Sequence, residues 1–223
     1  MKQIVISLGG SILLQPGYSD AFARVLEPVL KARKIAVVCG GGALAQKYAE
    51  AARKKTGSEF YADLEAIKAT RKNASYVKKA FGNVANLNII EHPLDAVFAL
   101  KKKNLVFSGG FLPGLTTDAC SVLVAEAIGA EKVVNASAVD GVYDKNPSEY
   151  PGARRFDRLT FDELVDLAIK NDARKARTHF VFDVVASLLA ARSKIQIDFV
   201  DGRDPENVVK AILEKPFEGT RVG

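Results

Sequence analysis

The sequence predicts an α/β protein, with a three-layer α/β/α sandwich around a mostly parallel central sheet. Short apolar runs alternate with amphipathic helical stretches, glycine clusters follow the first two runs, and no polar linker interrupts this order. Alternating strands and helices need right-handed crossovers, which cover both faces of a parallel sheet with helices. In such folds, ligands bind at the carboxyl ends of the strands.

The hydrophobic pattern predicts the elements in order. A helix follows the second glycine cluster and ends at Thr56-Gly57. Strands are expected at 3–8, 35–39, 84–90, 105–107, 132–135 and 195–200. Further helices are expected at 20–34, 60–79, 94–101, 118–128, 161–170, 181–193 and 205–214. Residues 1–223 are expected to form a single domain, with a weak seam that separates halves of about 1–130 and 131–223.

Composition and charge exclude several classes of protein. Lys and Arg outnumber Asp and Glu by 32 to 26, and the net charge of +6 can attract phosphorylated ligands, nucleic acid or anionic membranes. Cys39 and Cys120 lack the spacing of a metal site and are expected as buried free thiols. Neither a targeting segment nor an apolar run of about 20 residues occurs. We therefore expect a cytoplasmic protein that binds neither membrane nor nucleic acid.

Two glycine turns predict a phosphate-binding site. Gly9-Gly10 follows the first strand, and Gly40-Gly41-Gly42 follows the second strand and opens a helix. Glycines let backbone amides approach an oxyanion, and the helix end adds positive charge. Plain tight turns are one alternative. The second cluster also fits a dinucleotide fingerprint, typical of an oxidoreductase, but the acidic residue expected after the next strand is missing.

A third loop, at 109–118, follows the predicted strand 105–107 and precedes a helix. Thr116 and Thr117 offer hydroxyl groups, and Asp118 is expected to cap the helix. Glycine and proline restrict the loop, so that its amides could face a ligand. A long capped turn with only a structural role is the alternative.

Five segments together resemble the amino-acid kinase superfamily, and within it the archaeal-type UMP kinases. They lie at 6–11, 37–42, 70–74, 109–119 and 139–143, and the likeness spans nearly the whole chain. The last two segments, in this order, are the most specific. The resemblance implies an amino-acid kinase-like fold and a phosphotransferase of pyrimidine biosynthesis, which transfers the γ-phosphoryl group of ATP to UMP and gives UDP and ADP.

The resemblance implies that the first half of the chain holds UMP. Asp63 would bind the ribose, because a carboxylate can accept hydrogen bonds from two hydroxyl groups. Thr116 and Thr117 would lie near the base and the phosphate. The implied acceptor site comprises Gly41, Asp63, Phe111, Leu112, Pro113, Gly114, Leu115, Thr116 and Thr117.

The resemblance also implies a site for ATP, in which the ring of Tyr143 would cover the adenine. The implied residues are Gly9, Gly10, Ser11, Gly42, Gln46, Ser137, Ala138, Tyr143 and Asn146. Where this chain has Gln46, Ala138 and Asn146, the family usually has Arg, Asn and Asp. These departures remove hydrogen-bonding groups and one positive charge from the donor side.

The first turn carries Ser7 where many superfamily members have lysine, so the positive charge must come from elsewhere in the chain. The resemblance implies as catalytic residues Lys175, Asp183 and Gly10. Phosphoryl transfer needs alignment and charge neutralisation, and a phosphate acceptor is already ionised at neutral pH. We expect Lys175 and the amides of Gly9 and Gly10 to stabilise the transferred group, with Asp183 orienting the lysine or the metal's water. Mg²⁺ would bind the ATP phosphates, with no direct protein ligand. A solvated basic loop and a helix cap are the alternative interpretations of Lys175 and Asp183.

Other interpretations stay open within and beyond this superfamily. Kinases of isopentenyl phosphate, acetylglutamate, aspartate or carbamate share the glycine turns, whereas Asp63 and the loop 113–117 favour UMP. A catalytically weak, nucleotide-binding regulatory protein is the rival from another class, because of the departures on the donor side. The resemblance further implies a homo-oligomer, a hexamer built from dimers.

Overall fold

The structure, a computed structural model, describes residues 1–171 and 182–223. Within these residues, seven strands form one sheet in the order β3-β2-β1-β4-β6-β7-β5. The strands are β1 (Lys2–Leu8), β2 (Arg33–Cys39), β3 (Leu105–Ser108), β4 (Lys132–Ser137), β5 (Arg158–Leu159), β6 (Gln196–Asp201) and β7 (Thr220–Val222). All neighbouring pairs are parallel except β6 and β7. The predicted α/β fold with a mostly parallel sheet is confirmed.

Helices cover both faces of this sheet. They are α1 (Tyr18–Leu26), α2 (Gly42–Thr56), α3 (Glu59–Lys79), α4 (Pro93–Lys102), α5 (Thr117–Ile128), α6 (Phe161–Asn171), α7 (Val184–Ser193) and α8 (Pro205–Ile212). Alternate side chains of β1 enter two separate cores, with Ile4 and Ile6 packed among residues of α1 and α8, and Val5 among residues of α5 and α7. Burial on both faces is typical of parallel sheets and accounts for the continuous apolar runs in the sequence.

The connections create a switch point beside β1. The chain passes from β1 to β2 and β3 on one side, and then returns to β4 on the other side of β1. Leu8 is in register with both Cys39 and Ala136, so the turns after these three strands emerge at one edge of the sheet. A crevice at such a switch point is where open α/β sheets bind ligands.

The predicted strand at 84–90 is wrong. A 3₁₀ turn, Gly82–Val84, occupies its beginning, and the segment pairs with β3 through isolated bridges at Ala85 and Ile90 rather than through a continuous ladder. Between these bridges, the side-chain oxygen of Asn86 accepts a hydrogen bond of 3.0 Å from the Phe107 amide. A side chain therefore takes one place that a backbone ladder would fill.

Other element boundaries also differ. The helix predicted at 20–34 is α1 followed by a 3₁₀ turn, Glu27–Lys31, which contains Pro28 near its start. Proline lacks the amide that a continuing α-helix needs. Strands β5 and β7 were not predicted, because runs of only two and three residues leave no pattern to recognise. The helix predicted from 181 begins at Val184, and position 181 itself lies outside the described residues.

The two cysteines and the apolar character of the helices were also considered in the sequence. Cys39 and Cys120 are buried free cysteines, as predicted. None of the helices within 1–171 and 182–223 is long and apolar enough to cross a membrane.

Candidate active site

A cavity of about 450 Å³ opens at the carboxyl ends of β1, β2 and β4. It is the crevice that the switch point predicts. The amino-terminal residues of α2 and α5 reach it, so that two positive helix ends favour an anionic ligand. Its lining includes Ser7, Gly9, Gly10, Ser11, Gly40, Gly41, Gly42, Gln46, Thr117, Asp118, Asn135 and Ser137.

The two glycine turns pack backbone against backbone. A Cβ atom on Gly10 would overlap the Gly42 nitrogen and lie 2.6 Å from the carbonyl carbon of Gly41. In the other direction, a Cβ atom on Gly42 would lie 2.6 Å from the carbonyl carbon of Gly10, at a φ of 55° that favours glycine. Only glycine at both positions allows the two turns to approach this closely, and both turns line one cavity.

Helix α3 holds two of the loops around the cavity. Asn73 is buried and donates hydrogen bonds to the carbonyl oxygens of Gly40 at 2.9 Å and Gly41 at 3.0 Å. One turn earlier, the Thr70 hydroxyl oxygen accepts a hydrogen bond of 2.8 Å from the Gly110 amide. Residues three apart share a helix face, so one face of α3 positions both loops.

A second cavity, of about 170 Å³, adjoins the first and shares Gly41 and Thr117 with it. Its lining is Gly41, Asp63, Ala66, Ile67, Thr70, Gly110, Leu112, Leu115, Thr116 and Thr117. Six of the nine residues implied for the acceptor site are therefore brought together here. Asp63 also accepts a hydrogen bond of 2.8 Å from the Gly114 amide, which joins α3 to the loop.

Three residues implied for the acceptor site do not line this cavity. Phe111 is buried in the core between the sheet and α4, α5. Pro113 and Gly114 form the bend of the loop, where Gly114 has a φ of 82°. These three residues shape the loop rather than the wall of the cavity.

Asp118 lies in the first cavity. The prediction that it caps α5 is wrong, because the Thr116 side chain caps this helix by accepting a hydrogen bond of 3.1 Å from the Ala119 amide. Asp118 instead accepts hydrogen bonds from Ser7 at 2.8 Å and Asn135 at 2.9 Å, two residues that pair in register on β1 and β4. Sequence reasoning missed Asp118 and Asn135 as site residues. The only signal in the sequence was position, because Asn135 lies near the end of a predicted strand and Asp118 lies at the start of a predicted helix.

Burial shifts the protonation of this carboxyl group. Desolvation raises the pKa of Asp118 to about 6, and the negative charge of Asp183 adds to the shift. The hydrogen bonds from Ser7 and Asn135 oppose it. The carboxyl group of Asp118 therefore keeps its proton to a higher pH than an ordinary aspartate does.

Asp183 connects α7 to the acceptor loop. Its carboxylate caps α7 by accepting a hydrogen bond of 3.0 Å from the Ala186 amide. It also accepts a hydrogen bond from the hydroxyl group of Thr116, the residue that caps α5. Two helix amino termini are thus joined at the edge of the site. Lys175, the implied cation, lies outside the described residues.

The residues implied for ATP separate into two groups. Gly9, Gly10, Ser11, Gly42, Gln46 and Ser137 line the first cavity, whereas Ala138, Tyr143 and Asn146 do not. Tyr143 donates a hydrogen bond of 2.7 Å to Asp140, and Asn146 is engaged with Ser148 and Glu149 in a local turn. Val139 and Gly141, on either side of Asp140, do line the cavity.

This site has two adjoining cavities, lined by glycine turns and helix amino termini at a switch point, and it defines a class of α/β proteins that bind anionic ligands there. The model of the amino acid kinase family matches residues 2–200. Over the whole chain, the sequence is 39% identical to a uridylate kinase of Methanoculleus marisnigri, covering 96% of that protein, and 36% identical over 98% of the chain to one of Methanococcoides burtonii, covering 94% of it. The crystal structure of the uridylate kinase from Archaeoglobus fulgidus matches with a TM-score of 0.88 and 36% identity over all of both chains.

The chain belongs to the amino acid kinase family, which confirms the family resemblance and the prediction of a phosphotransferase. A UMP kinase structure from Bacillus anthracis has a TM-score of 0.80 at 20% identity, covering 96% of that chain, and this likeness concerns the fold alone.

Proposed function

We propose that this chain is a UMP kinase, which transfers the γ-phosphoryl group of ATP to UMP. The observation that carries the proposal is the pair of adjoining cavities, which share Gly41 and Thr117. Two phosphorylated ligands in these cavities would meet with their phosphates at the glycine turns. The similarity to uridylate kinases extends over the whole chain and supports the choice of acceptor.

In this proposal, backbone amides provide most of the stabilisation of the negative charge on the transferred phosphoryl group. The amides of Gly10 and Gly42 face the transferred group, where preorganised donors stabilise developing charge. The Gly9 amide, which was also expected to take part, instead donates a hydrogen bond of 2.8 Å to the Ala136 oxygen. Asp63 binds the ribose of UMP, while the larger cavity takes the phosphates of ATP. Lys175 supplies the cation, as the family resemblance implies.

The described part of the chain offers Mg²⁺ few ligands of its own. Within the described residues, no cluster of three or more His, Cys, Asp or Glu side chains could hold a metal ion. This fits an ion that arrives on the ATP phosphates, where it would neutralise part of their charge. Asp183 contributes by capping α7 and by holding Thr116 beside the acceptor cavity.

A nucleotide-binding protein with weak catalysis is the second candidate. The observation that favours it is the character of the lining: none of the described residues that line the two cavities is Lys or Arg. A site without a cation would bind phosphates through amides and helix ends alone. This candidate differs from the first in turnover.

A coupled assay of ADP release separates the candidates. We expect ADP release with Mg²⁺-ATP and UMP, and rates at least about 100-fold lower with GMP, acetylglutamate, carbamate and isopentenyl phosphate, because a site built for polar groups rejects analogues that leave them unpaired. ATP binding without ADP release in the presence of any acceptor would overturn the kinase proposal and support the second candidate, a nucleotide-binding protein with weak catalysis. Fastest turnover with another acceptor would reassign the substrate.

We extend this proposal to the setting of the enzyme. The family resemblance supports a cytoplasmic enzyme of pyrimidine biosynthesis that assembles as a homohexamer. Several exposed aromatic side chains, including Phe60, Tyr61 and Phe98, are available for contacts between subunits. The mass of the native particle in solution tests the assembly, and a monomer would contradict it.

A further inference from the structure

We propose that Arg155 is a positioning residue for the phosphoryl donor, because it holds the turn that forms the donor-side wall of the cavity. This inference rests on the proposed function only in naming ATP as the ligand. Arg155 was not among the residues that the sequence implicated. Its contacts with the Val139–Gly141 segment carry the argument.

The first contact is an ion pair. Arg155 Nη1 lies 2.6 Å from Asp140 Oδ2, and the Tyr143 hydroxyl group donates a hydrogen bond of 2.7 Å to Asp140 Oδ1. Both oxygens of Asp140 are therefore held, from two different directions. Desolvation opposes ionisation, but the hydrogen bonds from Tyr143 and Arg155 hold the pKa of Asp140 below its usual range. The pair stays charged at neutral pH.

The second contact is steric. A Cβ atom on Gly141 would lie 2.6 Å from Cδ of Arg155 and 2.6 Å from the Thr220 hydroxyl oxygen. The aliphatic part of Arg155 therefore lies directly against the backbone of Gly141, which lines the cavity. A side chain of this length acts through packing as well as through charge.

The backbone around Arg155 supports the same turn. Tyr143 and Arg155 form an antiparallel bridge, and the Phe156 amide donates a hydrogen bond of 2.9 Å to the Val142 oxygen. The Val142 amide in turn donates a hydrogen bond of 2.9 Å to the Thr220 hydroxyl oxygen. The turn is thus fastened to β7 by its backbone, while its tip at Asp140 is fastened by Arg155.

The neighbouring residue offers a matched control. The Arg154 side chain is 88% exposed and lies 3.6 Å from Asp144, whereas the Arg155 side chain is 24% exposed. Replacing either residue by Gln removes one positive charge from the same part of the chain. Only the change at position 155 removes the contacts with Asp140 and Gly141.

The test combines steady-state kinetics with direct binding of ATP measured by calorimetry. For Arg155→Gln, we expect the KM and the Kd for ATP to rise about 10-fold, because Asp140 loses a charged partner, with the KM for UMP within twofold. Arg155→Lys, which keeps the charge, should recover part of this loss, and Arg154→Gln should match the unmodified protein. Thermal unfolding of each variant checks that the fold is retained.

The outcomes separate this inference from the proposed function. An unchanged KM and Kd for ATP in Arg155→Gln, or equal losses for ATP and UMP, would overturn the role of Arg155 and leave the kinase proposal intact. If the unmodified protein binds ATP without turnover and Arg155→Gln binds it more weakly, the inference stands and the kinase proposal fails. An unmodified protein that does not bind ATP overturns both. If Arg155→Gln does not fold, the Kd of Arg155→Lys decides, and a value equal to that of the unmodified protein overturns the inference.

Discussion

Buried uncharged side chains of α3 hold the second glycine turn and the start of the acceptor loop, whereas a partly exposed ion pair holds the turn at Asp140 on the donor side. Asn73 and Thr70, which make these α3 contacts, are 1% and 6% exposed. The side chains of Arg155 and Asp140 are 24% and 37% exposed. Salt screens exposed charges but leaves buried neutral hydrogen bonds nearly unaffected. The contacts made by Asn73 and Thr70 should therefore be insensitive to salt, and the ion pair at the donor-side turn should respond to it.

The contact between Gly10 and Gly42 holds the two glycine turns together, so its disruption should have the largest effect. In Gly10→Ala, the new methyl group would overlap the Gly42 nitrogen and lie 2.8 Å from the carbonyl carbon of Gly40, all of it backbone. We expect kcat/KM to fall by about 100-fold or more for both substrates, because the turns must separate.

Initial-rate measurements with each substrate varied would check this prediction. Gly152→Ala is the control, since a Cβ atom there has no neighbour within 4 Å. If Gly10→Ala retained activity within threefold of the unmodified protein, the close approach of the two turns would not matter for turnover.

Loss of Asn73 should weaken the glycine turn at Gly40 and Gly41 by an amount that does not depend on salt. Asn73→Ala leaves the carbonyl oxygens of Gly40 and Gly41 without these donors in a buried place, so we expect the free energy of unfolding to fall by about 3 kcal/mol. Because the lost hydrogen bonds are neutral, the loss should be the same at about 0.5 M NaCl as at low salt.

Urea denaturation at the two salt concentrations measures this effect. Lys79→Ala, at an exposed position on the same helix, serves as the reference and should change stability little. A loss that shrinks at high salt would mean that charges, rather than the amide of Asn73, fix this glycine turn, and the contrast with the ion pair of the donor-side turn would disappear.

The parts of the fold that sequence predicts are those with long patterns. The continuous apolar runs of β1, β2 and β4, buried on both faces, were clear in the sequence, and so were the glycines that follow β1 and β2. By contrast, β7 has three residues and is recognised as a strand only through its pairing with β6 and β5. Short elements depend on tertiary contacts that no local pattern records.

The candidate site was likewise predictable only in part. Glycines that receive a ligand have a local signature, but side chains that hold those glycines come from elsewhere in the chain. Asn73 contacts Gly40 across 33 positions, and Asp118 contacts Ser7 across 111 positions. Helix α3 was predicted, yet nothing in its own sequence indicates which loops its face will meet. Distant contacts of this kind need the assembled sheet.

Asp118, where the two sides meet, should give a smaller effect that depends on pH. Its pKa in the folded protein is about 6, above the value of about 4 for an unfolded chain, so the folded state favours the protonated carboxyl group. Stability from this group is fully present below pH of about 4 and is lost as the pH rises through about 6. Asp118→Asn keeps an acceptor for Ser7 and Asn135 without the charge. We expect this variant to exceed the unmodified protein by about 2 kcal/mol in unfolding free energy at pH 8, and to match it near pH 4.

Urea denaturation across this pH range measures the difference between the two proteins. Asp166→Asn, an exposed acid on α6, is the control and should give a difference that stays near zero throughout. A difference for Asp118→Asn that is constant with pH would mean that the carboxyl group does not titrate in this window. Contacts other than the hydrogen bonds from Ser7 and Asn135 would then offset the cost of burying this charge near Asp183. The carboxyl group of Asp118 would carry its negative charge without lowering the stability of the folded protein.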